Sequence, residues 1–318
     1  MTETSSLPPF LLLETVYRDY IWGGNRLRPG HSPTAEAWVV FEQNQVVGGP
    51  CQGQTLASLA RQYGPALLGQ KAYQATAERF PLLVKLLDCA DWLSIQVHPD
   101  DTQALQLAGP GFFGKTEAWH VLQASPIAKI IAGVRPGVTQ PALEQAIWDG
   151  SIELLVQYLP LRSGDTVFMP PGTLHALGPG LLIYEVQQTS DLTYRVYDWG
   201  RPSSDKRPLH IQQSLVVARH DACAEHIPLP EVQEGQEQVL CRSAYFTLSL
   251  LAASAQALAL DTRGESFHAV TLTEGKARLC AGQQTLELAP FDTVLLPALT
   301  GSYHLEPLGS FRALKSSV

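Results

Sequence analysis

The chain has 318 residues, of which 45% are hydrophobic and 16% are charged, a composition typical of a folded protein of about two domains. Its formal net charge of -8 argues against a nucleic-acid-binding surface and against binding to an anionic membrane. An anionic substrate is not excluded, because a local cluster of lysine and arginine can override the global sign.

The cysteines and the N-terminal residues indicate a cytoplasmic protein. The five cysteines are scattered and form no CxxC pair, which favours free thiols in a reducing compartment. Residues 1–9 are polar and contain proline, and the apolar run 10–13 is too short for a signal peptide or a membrane span. We expect no membrane association, and the sequence indicates no particular oligomeric state.

Short apolar runs bounded by glycine, proline, aspartate or serine predict a mainly β protein. One helix is predicted over residues 55–68 and another over 139–148, where Gly150 marks the end. A further short helix is predicted over 151–158, stopped by Pro160. Strands are predicted, in chain order, over residues 80–87, 128–134, 166–169, 181–186, 246–251 and 293–296.

A weak internal repeat predicts two copies of one β unit. Residues 165–170 read DTVFMP and residues 292–297 read DTVLLP, while EAWHV from Glu117 has an echo in ESFHA from Glu265. Two such copies predict two tandem cupin-like (jelly-roll) β barrels with a small helical insertion.

Four polar side chains in three segments are candidates for a metal site. LSIQVHPDD supplies Gln96 and His98, GKTEAWHVL supplies Glu117, and GDTVFMPPGTLHALGPG supplies His175. Imidazole nitrogens with carboxylate and amide oxygens suit a borderline divalent ion such as zinc and leave positions free for a substrate. We therefore predict an enzyme with one divalent ion per chain, Zn²⁺ or another divalent metal.

The repeat and the metal motif together predict the domain organisation. The catalytic barrel covers residues 1–230 with the helical insertion around 139–158, and a second barrel covers residues 235–318. The second copy has no counterpart of His98, and Ser302 stands where the repeat requires a histidine. We therefore expect the second barrel to bind no metal.

The spacing from Gly164 to His175 resembles the second motif of the cupin superfamily, in which a tight turn presents a metal-binding histidine from a barrel strand. In the first cupin motif Gln96 replaces one histidine, and Glu117 lies nineteen residues beyond His98. That departure resembles the type I mannose-6-phosphate isomerases, which use Gln, His, Glu and His as metal ligands.

Further blocks match the same family in order over most of residues 10–210. They are YIWGG, AEAW, PLLVKLLD, QVHPDD, GKTEAW and EVQQTSDLTYRVYDWGR. The last block and the short length resemble the compact bacterial form, whereas residues 235–318 match only as a degenerate barrel. The chain departs from the family at Ala118 and His120, where relatives often carry cysteine and tyrosine, and the sequence assigns no role to His120.

The resemblance implies a zinc-dependent aldose–ketose isomerase that interconverts mannose 6-phosphate and fructose 6-phosphate by proton transfer between C1 and C2. Strand alternation places Lys115 on the same face as Glu117, and the resemblance implies that Arg195 lines the same site. Lys115 and Arg195 are therefore the candidate catalytic cations. The base is left open among Lys115, a metal-bound water and Glu185.

Three alternatives stay open on the sequence. They are a cupin isomerase acting on an unphosphorylated aldose, a cupin oxygenase using Fe(II), and a non-enzymatic sugar-binding cupin. Lys115 and Arg195 argue against the last two, because neither function requires them. No Walker or GxGxxG motif is present, which excludes a fused nucleotidyltransferase.

Overall fold

The protein is described by a computed structural model, which covers residues 7–31, 33–76, 78–202 and 207–318. Strands hold 41% of these described residues and helices 16%, which confirms the predicted mainly β class. Within the described ranges the strands are β1 (Leu11–Leu12), β2 (Val16–Arg18), β3 (Glu36–Val40), β4 (Leu82–Cys89), β5 (Ile95–Val97), β6 (Glu117–Ala124), β7 (Lys129–Val134), β8 (Val156–Pro160), β9 (Thr166–Met169), β10 (His175–Leu177), β11 (Leu181–Gln188), β12 (Tyr194–Tyr197), β13 (Glu225–Ile227), β14 (Gln236–Arg242), β15 (Thr247–Ala253), β16 (Leu258–Asp261), β17 (His268–Ala281), β18 (Gln284–Leu288), β19 (Thr293–Leu296) and β20 (Ser302–Ser317). The helices are α1 (Leu56–Tyr63), α2 (Pro65–Leu68), α3 (Gln70–Thr76), α4 (Asp101–Ala108), α5 (Gln140–Asp149) and α6 (Ile211–Val217), with 3-10 turns at Ile152–Leu154 and Ala298–Thr300.

The strands form three sheets. A five-stranded sheet has the order β12, β5, β10, β7, β8, and a seven-stranded sheet has the order β13, β9, β6, β11, β4, β3, β2. The eight-stranded sheet runs β1, β19, β17, β20, β15, β14, with β16 paired to β20 and β18 paired to β17. The five- and seven-stranded sheets carry the candidate site.

The chain divides into two compact units. One comprises residues 17–37 and 85–229, and the other comprises the residues up to 16 together with 38–84 and 230–318. All the candidate site residues lie in the first of these units. The predicted domains, 1–230 and 235–318, and the closure of the sheets into tandem barrels stay predictions, and the structure adds that residues 38–84 group with the C-terminal segment.

The five- and seven-stranded sheets share a buried apolar cluster. Trp119 and Ile183 of the seven-stranded sheet belong to the same cluster as Ile130 and Leu177 of the five-stranded sheet. Side chains of two sheets interdigitate in this way when the sheets pack face to face. Side chains alternate along a strand, so Glu117 points to the same interior as Trp119.

The predicted helix over residues 139–148 is confirmed, but the one over 151–158 is wrong. Thr139 caps α5 by accepting a hydrogen bond from the backbone of Ala142, and Gly150 ends the helix in the left-handed conformation with φ 79°. Only a 3-10 turn follows, and residues 156–160 form β8, which pairs antiparallel with β7. Local signals for a helix start at Ser151 are therefore overridden by sheet pairing, and the helical insertion ends near residue 154.

Two further helical segments differ from the sequence prediction. The helix predicted over residues 55–68 begins at the predicted cap, Thr55, but is interrupted at Gly64, so that α1 and α2 are separate. The sequence also missed α4, in which Asp100 and Gln103 form a reciprocal capping box. That box was present in the sequence as Asp followed three residues later by Gln.

The internal repeat is present as matching backbone geometry. The side chain of Asp165 accepts a hydrogen bond from the backbone N–H of Arg162 at 2.9 Å. The side chain of Asp292 accepts the equivalent bond from Ala289 at 2.8 Å. Each aspartate closes the turn that leads into a strand of the same length, β9 or β19. The repeated sequence DTVxxP therefore corresponds to a repeated turn and strand.

Strand pairing changes the alignment between the repeat segments EAWHV and ESFHA. Glu117 pairs with Met169, and His268 pairs with Leu296, which occupies the matching position in the repeat. His268 is therefore the structural counterpart of Glu117, and the equivalence drawn from EAWHV and ESFHA to Glu265 is wrong by three residues. His268 is buried and its Nδ1 lies 2.8 Å from the hydroxyl of Tyr303.

The structure bears on two further predictions, which concern disulfide bonds and membrane-spanning helices. All five cysteines are free thiols, as the sequence indicated. Among the helices of the described ranges, none is long and apolar enough to cross a membrane.

Candidate metal centre and active site

Three neighbouring strands bring Arg195, Gln96 and His175 into one row. Gln96 on β5 pairs with Arg195 on β12 at one side and with His175 on β10 at the other. Directly opposed residues of antiparallel strands point to the same face, with Cβ atoms about 4.5–5.5 Å apart. His175 also pairs with Ala132 of the buried cluster, so this row faces the interior between the two sheets.

His98, Glu117 and His175 meet at the interior face. The Nε2 atoms of His98 and His175 lie 3.1 Å apart. Oε2 of Glu117 lies 3.5 Å from His98 Nε2, and Oε1 lies 3.3 Å from His175 Nε2. Each of the three residues is only 1% exposed. Three of the four predicted ligands therefore converge in a buried cluster that could hold a metal ion.

The backbone fixes which nitrogen of each imidazole is free. Nδ1 of His98 lies 2.8 Å from the carbonyl oxygen of Leu192, and Nδ1 of His175 lies 2.9 Å from that of Thr173. A carbonyl oxygen only accepts, so each Nδ1 carries the proton and each Nε2 keeps its lone pair. The two Nε2 atoms lie 3.1 Å apart, and His98 Nε2 also lies 2.9 Å from the Lys115 ammonium. The repulsion between the two lone pairs can therefore be offset by that ammonium or by a divalent cation held between the imidazoles.

Glu117 and Gln96 complete the donor set. Among the residues that the structure describes, neither carboxylate oxygen of Glu117 has a hydrogen bond of acceptable geometry, although Lys115 Nζ lies 2.6 Å from Oε2. Buried oxygens of this kind are normally satisfied, and a divalent cation would satisfy them. The side-chain amide of Gln96 lies 3.2 Å from His175 Nε2, so a half-turn of the amide presents its oxygen to the same point.

The pKa values of the three candidate ligands also suit a metal site. Burial and the Lys115 ammonium hold the pKa of His98 well below its usual range, and the same causes lower the pKa of His175 to about 3. Both imidazoles are therefore neutral, as coordination requires. Burial raises the pKa of Glu117 to about 7, and a divalent ion beside it would favour the carboxylate.

A line of buried charges of alternating sign leads away from the cluster. Lys115 Nζ lies 2.6 Å from Glu117 and 3.7 Å from Glu185, and Lys85 Nζ lies 3.1 Å from Glu185 and 4.0 Å from Glu36. The least buried of the five, Glu36, is 8% exposed. Charged side chains are rarely this buried unless they are paired, so each carboxylate and ammonium depends on its neighbours.

The pKa values of the middle pair follow from these contacts. Burial alone would lower the pKa of Lys85, but Glu185, Glu36 and Glu117 raise it above its usual value. Burial alone would raise the pKa of Glu185, but Lys85 and Lys115 together lower it. Both groups are therefore charged at neutral pH.

Arg195 lies beside the cluster rather than inside it. Its guanidinium donates to the hydroxyl of Ser94 at 3.2 Å and to the carbonyl of Pro208 at 2.9 Å. Burial and the nearby Arg207 lower the pKa of Arg195. Arg207 is itself bound to Asp198, whereas in the described ranges Arg195 forms no ion pair. Its positive charge is available to an anion.

Comparison with known proteins identifies the family. The family described as phosphomannose isomerase type I, catalytic domain, matches residues 10–113. The mannose-6-phosphate isomerase of Streptococcus mutans is 34% identical over 310 residues, which are 93% of this chain and 95% of that protein. This chain belongs to the phosphomannose isomerase family.

Solved structures of the family share the fold. The crystal structure of mannose 6-phosphate isomerase from Bacillus subtilis is 30% identical and superposes with a TM-score of 0.87, covering 98% of this chain and 100% of that one. A mannose 6-phosphate isomerase bound with zinc and yttrium is 17% identical and superposes with a TM-score of 0.76, covering 96% of this chain and 99% of that one.

The structure also shows what the sequence left unassigned in this family member. His120 alternates with Trp119 on β6 and points away from the cluster, where its Nδ1 lies 2.9 Å from the hydroxyl of Thr166. Lys85 and Glu36 were missed as site residues. The signal was a single lysine inside the apolar run PLLVKLLD and an acidic residue in AEAW, since a charge within a buried strand needs a partner.

Proposed function

We propose that this phosphomannose isomerase interconverts mannose 6-phosphate and fructose 6-phosphate with one zinc ion held by Gln96, His98, Glu117 and His175. The observation that carries the proposal is the convergence of two imidazole lone pairs and a buried carboxylate on one point. The activity carried by the Streptococcus mutans relative and the zinc bound by a protein of the same fold support it.

The ligand separations suit zinc. A tetrahedral site with metal–ligand bonds of about 2.0–2.1 Å has edges of about 3.3 Å between its ligand atoms. The three separations among His98, Glu117 and His175 are 3.1, 3.3 and 3.5 Å. When bound, the ion would act as a Lewis acid on the substrate oxygens at C1 and C2.

Lys115 and Glu185 supply the remaining charges that the reaction needs. Isomerisation removes a proton from C2 or C1 and places negative charge on the neighbouring oxygen. The Lys115 ammonium, 2.6 Å from Glu117, is positioned to stabilise that charge. Glu185 is ionised at neutral pH, but the two lysines that lower its pKa also make it a weaker base, so the proton acceptor stays open among Glu185, Lys115 and a metal-bound water.

Arg195 is assigned to the anionic part of the substrate. It lies directly opposite Gln96 on the neighbouring strand, and its guanidinium bonds only to neutral partners, Ser94 and Pro208, among the contacts that the structure describes. A planar guanidinium binds a phosphate or an enediolate through paired N–H donors. Arg195 therefore favours a phosphorylated substrate, as in mannose-6-phosphate isomerisation, over an unphosphorylated aldose.

A coupled assay tests the proposal. Purified protein is given mannose 6-phosphate or mannose before chelation, after chelation and after zinc is restored. We expect turnover of the phosphorylated sugar alone, its loss on chelation and its return with zinc. Equal turnover of mannose would favour the unphosphorylated-aldose isomerase, and turnover that survives complete removal of metal would refute the metal-dependent mechanism.

A further inference from the structure

A second group of metal-binding side chains lies in the eight-stranded sheet, outside the site described above. Cys280 is on β17, and His304 and Glu306 are on β20. The two strands are antiparallel neighbours, and Cys280 pairs directly with His304. Glu306 follows His304 by two residues and so lies on the same face of the sheet. A thiol, an imidazole and a carboxylate are thus presented together.

The ligand atoms of this group are close enough to share one ion. Nε2 of His304 lies 3.3 Å from Oε1 of Glu306, the edge expected for nitrogen and oxygen ligands of a tetrahedral ion at about 2.0–2.1 Å. All three ligand atoms lie within 4.8 Å of one another. The residues are half-buried, so an ion can reach them from solvent.

One oxygen of Glu306 faces Arg278, and the other faces His304 at 3.3 Å. Arg278 lies 3.6 Å from Oε2 of Glu306, but the same guanidinium is closer to Glu287, at 2.9 Å. Oε1, on the side of His304, has no contact with Arg278 among the described ion pairs. A divalent cation would balance the Glu306 carboxylate and a Cys280 thiolate.

We propose that Cys280, His304 and Glu306 form a second metal site that binds a divalent ion of borderline softness, Zn²⁺ or Co²⁺, with water in the open position. Thiolate and imidazole ligands select such ions, whereas Mg²⁺ and Ca²⁺ require oxygen ligands. The site revises the expectation that residues 235–318 bind no metal. That expectation rested on the missing counterpart of His98 and on Ser302 in place of a histidine, and neither position belongs to this group of three residues.

Cobalt distinguishes the two sites spectroscopically. The cluster of Gln96, His98, Glu117 and His175 contains no thiolate, so only the second site can give a thiolate-to-cobalt charge-transfer band. Chelated full-length protein is titrated with Co²⁺, and binding is followed by metal analysis and by absorption. We expect two equivalents per chain, one of which develops with the charge-transfer band.

Three single variants complete the test. Cys280→Ser and His304→Gln should remove the band and weaken the second equivalent by at least about tenfold, while turnover of mannose 6-phosphate is unchanged, which shows that both variants are folded. Cys223→Ser is the matched control, since Cys223 is an exposed thiol outside the group, and it should keep the band. The proposal is overturned if the wild-type chain binds one equivalent without the band, if the band survives in Cys280→Ser, or if it is lost in Cys223→Ser.

Discussion

Replacing Lys85 with methionine should destabilise the protein strongly, because Lys85 balances two buried carboxylates. Its Nζ lies 3.1 Å from Glu185 and 4.0 Å from Glu36. Removing one partner of a buried ion pair costs about 3–5 kcal/mol, since the other charge stays buried. Lys115 remains 3.7 Å from Glu185, so we expect the lower end, about 3 kcal/mol, in the free energy of unfolding measured with urea at neutral pH.

The pH dependence of that loss identifies its cause. In the wild-type chain the lysines lower the pKa of Glu185, so Glu185 contributes stability above its unfolded pKa of about 4.3 and loses it as the pH falls through the lowered folded pKa. Without Lys85 the carboxyl protonates more readily, so the difference between variant and wild type should shrink towards acidic pH. Lys71→Met, at an exposed position of α3, should change stability by no more than about 0.5 kcal/mol. A loss below about 0.5 kcal/mol for Lys85→Met, or a larger loss that does not vary with pH, would refute the reasoning.

Three other variants test separate parts of the account. Arg195→Ala should keep the metal but lower kcat/KM by about 10²–10³, because a preorganised cation is lost, and a decrease below about threefold would make Arg195 ordinary surface charge. Gln96→Ala should weaken zinc binding by about 10–100-fold in a chelator competition, and unchanged affinity would remove Gln96 from the metal site. Deleting residues 235–318 should cause aggregation detectable by light scattering. The ring of Phe80 lies 4.6 Å from that of Phe267, so the deletion would expose Phe80 to solvent. A monodisperse truncated chain would contradict this.

The metal cluster could be predicted from the sequence because its signals are local. Gln96 and His98 alternate on one strand, and His175 follows a turn with fixed glycine and proline spacing. Glu117 was a candidate as an acidic residue beside apolar ones in GKTEAWHVL, and the family resemblance supported it, since a lone glutamate in a strand has no distinctive spacing. The structure brings His98, Glu117 and His175 together, and their assignment as ligands stays a proposal until metal is measured.

The remaining features depend on contacts that the sequence does not specify. Lys85 contacts Glu36 and Glu185 because β4 lies between β3 and β11 in one sheet. This strand order is non-local and cannot be read from the sequence. Residues 156–158 were predicted as part of a helix but belong to β8 through its pairing with β7. The counterpart of Glu117 in the repeat, His268, is set by strand register, which short sequence echoes fix poorly. The pairing of Cys280 with His304 is invisible for the same reason.

Anomalous diffraction at the zinc absorption edge tests the central claim most directly. Crystals of active, zinc-loaded protein should show a peak about 2.0–2.1 Å from Nε2 of both His98 and His175 and in contact with a carboxylate oxygen of Glu117. The same preparation should turn over mannose 6-phosphate. Absence of a peak at this cluster in protein that is fully active would contradict the account.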